Sequence, residues 1–177
     1  LHPANAPDPS SGFSPMSDDE RANLAQTSAW GNRKDIREGC IPASGMIGSA
    51  RAIARHYAAM RVDGLDGVRL LNPDTIALAC VPYLGDDGSN VGWTDRLGLG
   101  YTLGAGTHFA CDVTVIAPWP DAFGHTGYSG SLGVYCPPQD LAVAMTKNAL
   151  FPGLRECFRW DHALRAVCEG LGIPYHS

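Results

Sequence analysis

Lysine is scarce in this chain: Lys34 and Lys147 are the only two among 177 residues. The residues three positions before them are Gly31 and Ala144, so no lysine stands one helical turn after a serine. Positive charge is short as well, with 13 Lys and Arg against 18 Asp and Glu and a net charge of −5. That balance offers no basic footprint for phosphate backbones or anionic lipid, so neither nucleic acid nor membrane is an expected partner. No apolar run reaches the roughly 18 residues of a membrane span, and the Pro-rich, acidic start lacks the n-region and h-region of a signal peptide.

Cys-x-x-Cys is absent too. The cysteines stand at 40, 80, 111, 136, 157 and 168, an irregular set that reads as buried thiols, with disulfides in an oxidising compartment or a metal site as alternatives. The compartment stays open. His108 with Cys111, or Cys157 with His162, could be drawn as metal pairs, but neither has the matched second pair of a zinc site. No metal and no cofactor is expected. Gly98-Leu99-Gly100, Gly104 and Gly106 form no GxGxxG and no P-loop lysine follows, so these glycines read as bulges and close backbone approaches. Gly127-Tyr128-Ser129-Gly130-Ser131 falls one residue short of GxSxG, and no helical pattern follows it to build a nucleophile elbow.

What the chain does have is an ordinary globular composition, 45% hydrophobic and 18% charged. A single domain of this size buries roughly 70% of the surface its unfolded chain exposes. Leu1 to Pro15 reads as an aperiodic arm. Ser17-Asp18-Asp19-Glu20 is a capping box that predicts a short helix to about Gln26, followed by a polar loop through Gly39. Met46, Ala50, Ile53, Tyr57 and Met60 repeat at four-three spacing and predict an amphipathic helix, with Ser44 as its cap. Asn72-Pro73 opens another short helix that ends before Pro82, and Asp86-Asp87-Gly88 turns the chain.

Beyond that turn the pattern changes to β-branched, aromatic and Gly-rich runs: Leu99 to Leu103, Phe109 to Ala117, Ser131 to Tyr135 and Leu141 to Thr146. Leu154 through Leu171 returns to helical spacing, with Gly170 and Gly172 as stop signals. The order predicts an α+β fold: an antiparallel sheet, a C-terminal helix packed on it, and helices of an α subdomain.

One segment carries chemistry. Phe123-Gly124-His125-Thr126-Gly127-Tyr128, its glycine-rich turn, and Leu141 to Asn148 resemble the third active-site motif of serine β-lactamases, penicillin-binding proteins and related esterases. The His-Thr-Gly form is similar to the branch of esterases and D-amino-acid peptidases. Pro42-Ala43-Ser44-Gly45 and Leu97-Gly98-Leu99-Gly100-Tyr101 look like further landmarks in family order. The resemblance spans about Pro42 to Leu150, so residues 42–177 are expected to be the C-terminal part of a β-lactamase-like domain, with 1–41 an unassigned arm and short helix.

The resemblance implies an acyl-transfer site for a small-molecule or peptide-like acyl substrate. His125 would donate a proton or hydrogen bond, the Tyr128 amide would supply half an oxyanion hole, and Thr126 and Gly127 would bind substrate. The alternative for His125 is a satisfied, partly buried strand histidine. The family nucleophile is the serine of Ser-x-x-Lys, which this chain lacks, as it lacks Tyr-x-Asn and Ser-x-Asn. Family order places those motifs before Leu1, so an N-terminal part of the same polypeptide is expected and this chain alone should be inactive. The alternative is a non-catalytic binding or scaffold module.

Overall fold

The computed structural model describes residues 2–3, 17–42, 45–82, 97–104, 119–127, 131–150 and 157–175. Helix α1 (Asp18–Gly31) carries the expected capping box: the Ser17 hydroxyl accepts the Glu20 N–H, and the Glu20 carboxylate accepts the Ser17 N–H at 2.8 Å. The helix passes the expected end at Gln26, because Leu24 and Ser28, one turn apart, are both buried and carry the packed face onward. The predicted polar loop through Gly39 also gives way to a helical turn, α2 (Lys34–Glu38). No residue of α2 is buried; the Arg33–Asp35 pair at 2.5 Å and the Lys34–Glu38 pair at 3.8 Å accompany it.

Helix α3 (Ala50–Ala58) starts later than the Met46 periodicity predicts. The Ser49 hydroxyl caps it by accepting the Ala52 N–H at 3.2 Å, while Met46 and Ile47 are 61% and 70% exposed and lie off the packed stripe. Ser44, the expected cap, lies outside the described residues, as do Asp86-Asp87-Gly88 and Phe109 to Ala117. Helix α4 (Pro73–Ala79) is built as expected, its Asn72 side chain accepting the Thr75 N–H at 2.7 Å.

A short β1 (His2–Pro3) pairs in parallel with β6 (Ala149–Leu150). The main sheet has four antiparallel strands in the order β2 (Thr102–Leu103), β3 (Phe123–Thr126), β4 (Leu132–Cys136) and β5 (Leu141–Met145). Of the predicted Leu99 to Leu103 strand only two residues pair. Gly100 at φ +85° turns the chain, the Gly98 N–H donates to Tyr101 O at 2.8 Å, and the Leu99 N–H is drawn to Ala79 O at 2.9 Å. The glycines read as close approaches behave so: a Cβ on Gly98 would collide with Ala79 O, and one on Gly104 with Trp119 O.

Strand alternation assigns each face a different cover. Phe123 and Tyr135 pack on one side with Tyr57, Met60 and Leu103, bringing in Ile53 of α3 and Ile76 of α4. Leu132, Val134 and Cys136 pack on the other with Trp119, Leu164 and Cys168, bringing in the closing helix α5 (Cys157–Leu171). The α+β class and the sheet-packed final helix are thus as predicted, and α3 supplies the second cover. Gly170 sits inside α5 rather than stopping it. Gly172 at φ +67° stops it, with Ile173 N–H on Cys168 O at 2.8 Å and Gly172 N–H on Glu169 O at 3.2 Å, a Schellman motif. Among the cysteines, Cys136 and Cys168 are buried as expected, but Cys80 is half-buried and Cys40 is exposed.

The β4–β5 connection is pinned at Asp140, which sits at φ 47°. Its carboxylate accepts the Tyr135 hydroxyl at 3.2 Å and pairs with Arg61 at 3.0 Å, tying the segment after α3 to the hairpin. Burial, reinforced by the nearby Asp140 charge, pushes the Tyr135 phenol up to about 12, and burial pushes the Cys136 thiol up to about 12.

Both groups are neutral when protonated, so their raised values stabilise the fold fully below the ordinary values of 9.0 for Cys and 10.0 for Tyr. That contribution is lost as pH rises toward about 12. Urea midpoints should therefore hold steady up to about pH 9 and fall beyond it, and Tyr135→Phe and Cys136→Ala should each flatten the fall. Gly104→Ala should cost about 2–3 kcal/mol in the same assay, because backbone rather than a flexible side chain blocks its Cβ.

Candidate functional site

The end of β3 runs past the last β2 pair among the described residues. β2 pairs with β3 only at Phe123 and Gly124, then turns away through Gly100. β4 continues alongside: His125 lies opposite Gly133, Thr126 opposite Leu132, and the Gly127 N–H donates to Ser131 O at 2.7 Å. Because that amide faces β4, the two-residue alternation turns the backbone groups of Thr126 toward the β2 side, beyond the last β2 pair. The result is a strand end held on one side by the β3–β4 hairpin.

His125 is exposed, Thr126 half-buried and Gly127 exposed, so the structure gathers three of the four motif residues on this strand end. Tyr128 lies outside the described residues. The side chains of His125 and Thr126 project to opposite faces. His125 shares its face with Gly133 and Ala144, toward α3; Thr126 shares its face with Leu132 and Met145, toward α5. A ligand meeting both must therefore run along the strand edge rather than lie on either face.

The His125 ring is oriented by its own backbone: Nδ1 lies 2.5 Å from Thr126 O. A carbonyl oxygen only accepts, so this contact assigns the ring proton to Nδ1 in the neutral form. Nε2 is then the unprotonated nitrogen of that tautomer.

Sequence reasoning missed what packs on Gly133, the residue opposite His125. A Cβ on Gly133 would collide with Cε2 of Tyr57, lie 2.9 Å from its Cδ2 and 3.0 Å from Ile53 Cγ2. The bare backbone of Gly133 is thus the seat of the α3 aromatic. The signal was present as a glycine inside an otherwise apolar strand, which marks a close approach, but not what approaches. Tyr57 heads a chain of edge-on rings, 6.4 Å from Tyr101, which lies 5.2 Å from Phe123, itself 5.8 Å from Tyr135.

A separate open groove of about 440 Å³ runs along β5, at the opposite edge of the sheet. Its walls include Arg51, Ala54, Ala142, Ala144, Val167 and Leu171, and it contains none of the His-Thr-Gly residues. Its lining offers no nucleophile, acid or base. Among the described residues, no three His, Cys, Asp or Glu side chains cluster closely enough to hold a metal ion.

Comparison with known families matches a model described as Beta-lactamase over residues 2–167. Comparisons with curated proteins and with solved structures return no match. The matched span contains the His-Thr-Gly strand, both upstream landmarks, α1 and most of α5. On that span, with the antiparallel sheet and covering helices described above, the chain belongs to the beta-lactamase family, which carries a serine-hydrolase-type function.

Proposed function

We propose that this chain forms the substrate-side wall of an acyl-transfer site acting on an ester, amide or lactam through an acyl-enzyme. The observation that carries the reading is the placement of His125, Thr126 and Gly127 together at the end of β3, beyond its last pair with β2. An extended acyl substrate lying along that edge would meet the Thr126 backbone, and bare Gly127 would let it approach closely. The amide of Tyr128, the residue after Gly127 in the sequence, is the proposed donor to a developing oxyanion. His125 would act through Nε2, taking a proton or returning one to the leaving group, while Nδ1 stays on Thr126 O.

A serine becomes nucleophilic when a base stands beside it, and the family uses a lysine one helical turn away. Neither Lys34 nor Lys147 has a serine at that spacing. The proposed nucleophile therefore belongs to a Ser-x-x-Lys helix outside these 177 residues. Without it the chain retains binding and polarisation but not the covalent route. The same absence supports a second reading, a non-catalytic binding module on a β-lactamase-like scaffold.

Incubation of the 177-residue chain with a fluorophosphonate probe should give no covalent label on any serine. A labelled serine would contradict the account, since no activated hydroxyl is assigned here. Binding of an N-acetyl amino-acid methyl ester, followed by calorimetry, should weaken about tenfold in His125→Ala, the loss of one hydrogen bond. The variant should melt like the parent. Unchanged affinity would reduce His125 to a structural strand residue.

A further inference from the structure

After the Schellman turn at Gly172 the chain folds back, and Ile173 and Tyr175 pack against the core on the α5 side of the sheet. There they meet Trp119, a ring only 2% exposed. Its indole N–H donates to Pro174 O at 3.2 Å, the Tyr175 ring stands edge-on to it at 5.3 Å, and the Arg165 guanidinium of α5 lies 4.8 Å from the Tyr175 ring centre. The backbone of the same tryptophan opens β3. Trp119 O accepts the Ala122 N–H at 2.9 Å, closing a turn, and Ala122 O accepts the Gly104 N–H at 2.8 Å, which ties that turn to the end of β2. The fit leaves no slack, since a Cβ on Gly104 would collide with Trp119 O. Phe123 and Gly124 follow at once, paired with Leu103 and Thr102, and His125, Thr126 and Gly127 come next.

We infer that residues 173–175 are a clasp on the His125-Thr126-Gly127 strand: engaged on Trp119 they hold the turn that sets where β3 begins, and released they loosen it. Trp119 is the positioning residue, because its side chain takes the tail while its carbonyl closes the turn; Pro174 and Tyr175 act through it. The clasp's purpose rests on the acyl-transfer reading, since a strand that presents an edge to a ligand works best when it is held still. Its geometry stands apart from that reading. β4 and β5 are joined by a five-pair ladder of their own, so release of the tail should open the turn and the β2–β3 junction before it disturbs that hairpin. Any ligand that binds the held strand better than the loosened one must, by linkage, tighten the clasp in return.

The test is hydrogen exchange in low urea, followed by nuclear magnetic resonance, first on the unmodified chain. The Trp119 indole N–H and the Gly104 and Ala122 amides should exchange through one shared opening, with the same urea dependence and at lower cost than the β4–β5 amides. Independent opening of the indole proton, or opening of all three only together with the β4–β5 ladder, overturns the inference without needing any variant to fold. In Tyr175→Ala, exchange of those three protons should rise roughly tenfold, the upper worth of an edge-on aromatic pair, while the β4–β5 amides keep the parent rates. An equal rise in both sets, the mark of a tail that only adds to global stability, overturns it, as does no rise at all. None of these readouts uses a ligand: failure of His125→Ala to weaken ester binding would retire the acyl-transfer reading and leave the clasp standing, and failure of the exchange pattern would do the opposite.

Discussion

The bare backbone of Gly133 is the constraint on which the arrangement depends. With no Cβ there, Tyr57 and Ile53 of α3 settle directly against the central strand β4. That contact closes the sheet face opposite α5, so β4 is covered on both sides and all five of its residues are buried. The neighbouring strand is built to the same rule, since a Cβ on Gly124 would collide with Gly133 O. Close packing of this kind leaves little room for adjustment, because the obstructing atoms are backbone or a ring held edge-on by its neighbours.

From that fixed centre the hairpin carries its chemistry outward. β3 is held by β4 along its length, and its described β2 pairs end at Gly124, so exposed His125 and half-buried Thr126 stand at the end of a rigid strand. A site on such an end combines a preorganised backbone with an opening for ligand. The Asp140 latch, joining Tyr135 to Arg61, keeps the other end of the same hairpin in place. The large groove beside β5 lies across the sheet from this end and shares none of its residues.

Much of this was legible in the sequence where the signal is local. The Ser17 capping box, the Asn72-Pro73 start and the strands at 132–136 and 141–145 rest on caps and alternation within a few residues. The misses fall where distant contacts decide. α1 continues because Leu24 and Ser28 are buried; the later start of α3 is by contrast local, set by Ser49 capturing the Ala52 N–H rather than by the Met46 periodicity. The Leu99 to Leu103 run is bent away by the hydrogen bond from Leu99 to α4. At the site, His125-Thr126-Gly127 was readable as a motif, and Gly133 as a close approach only in kind. That Tyr57 is the group approaching it needed a partner 76 residues away in the chain, which no local pattern specifies.

The central claim is that the end of β3 is the ligand-binding edge of a hydrolase-type site. It is tested most directly by titrating an isotope-labelled chain with a phosphonate monoester, whose tetrahedral anionic phosphorus mimics the acyl intermediate without needing a nucleophile, and mapping the amide shifts. The account predicts that the largest changes cluster at His125, Thr126 and Gly127 and their β4 partners. Changes confined to Arg51, Ala142, Ala144 and Val167, along the β5 groove, would contradict it.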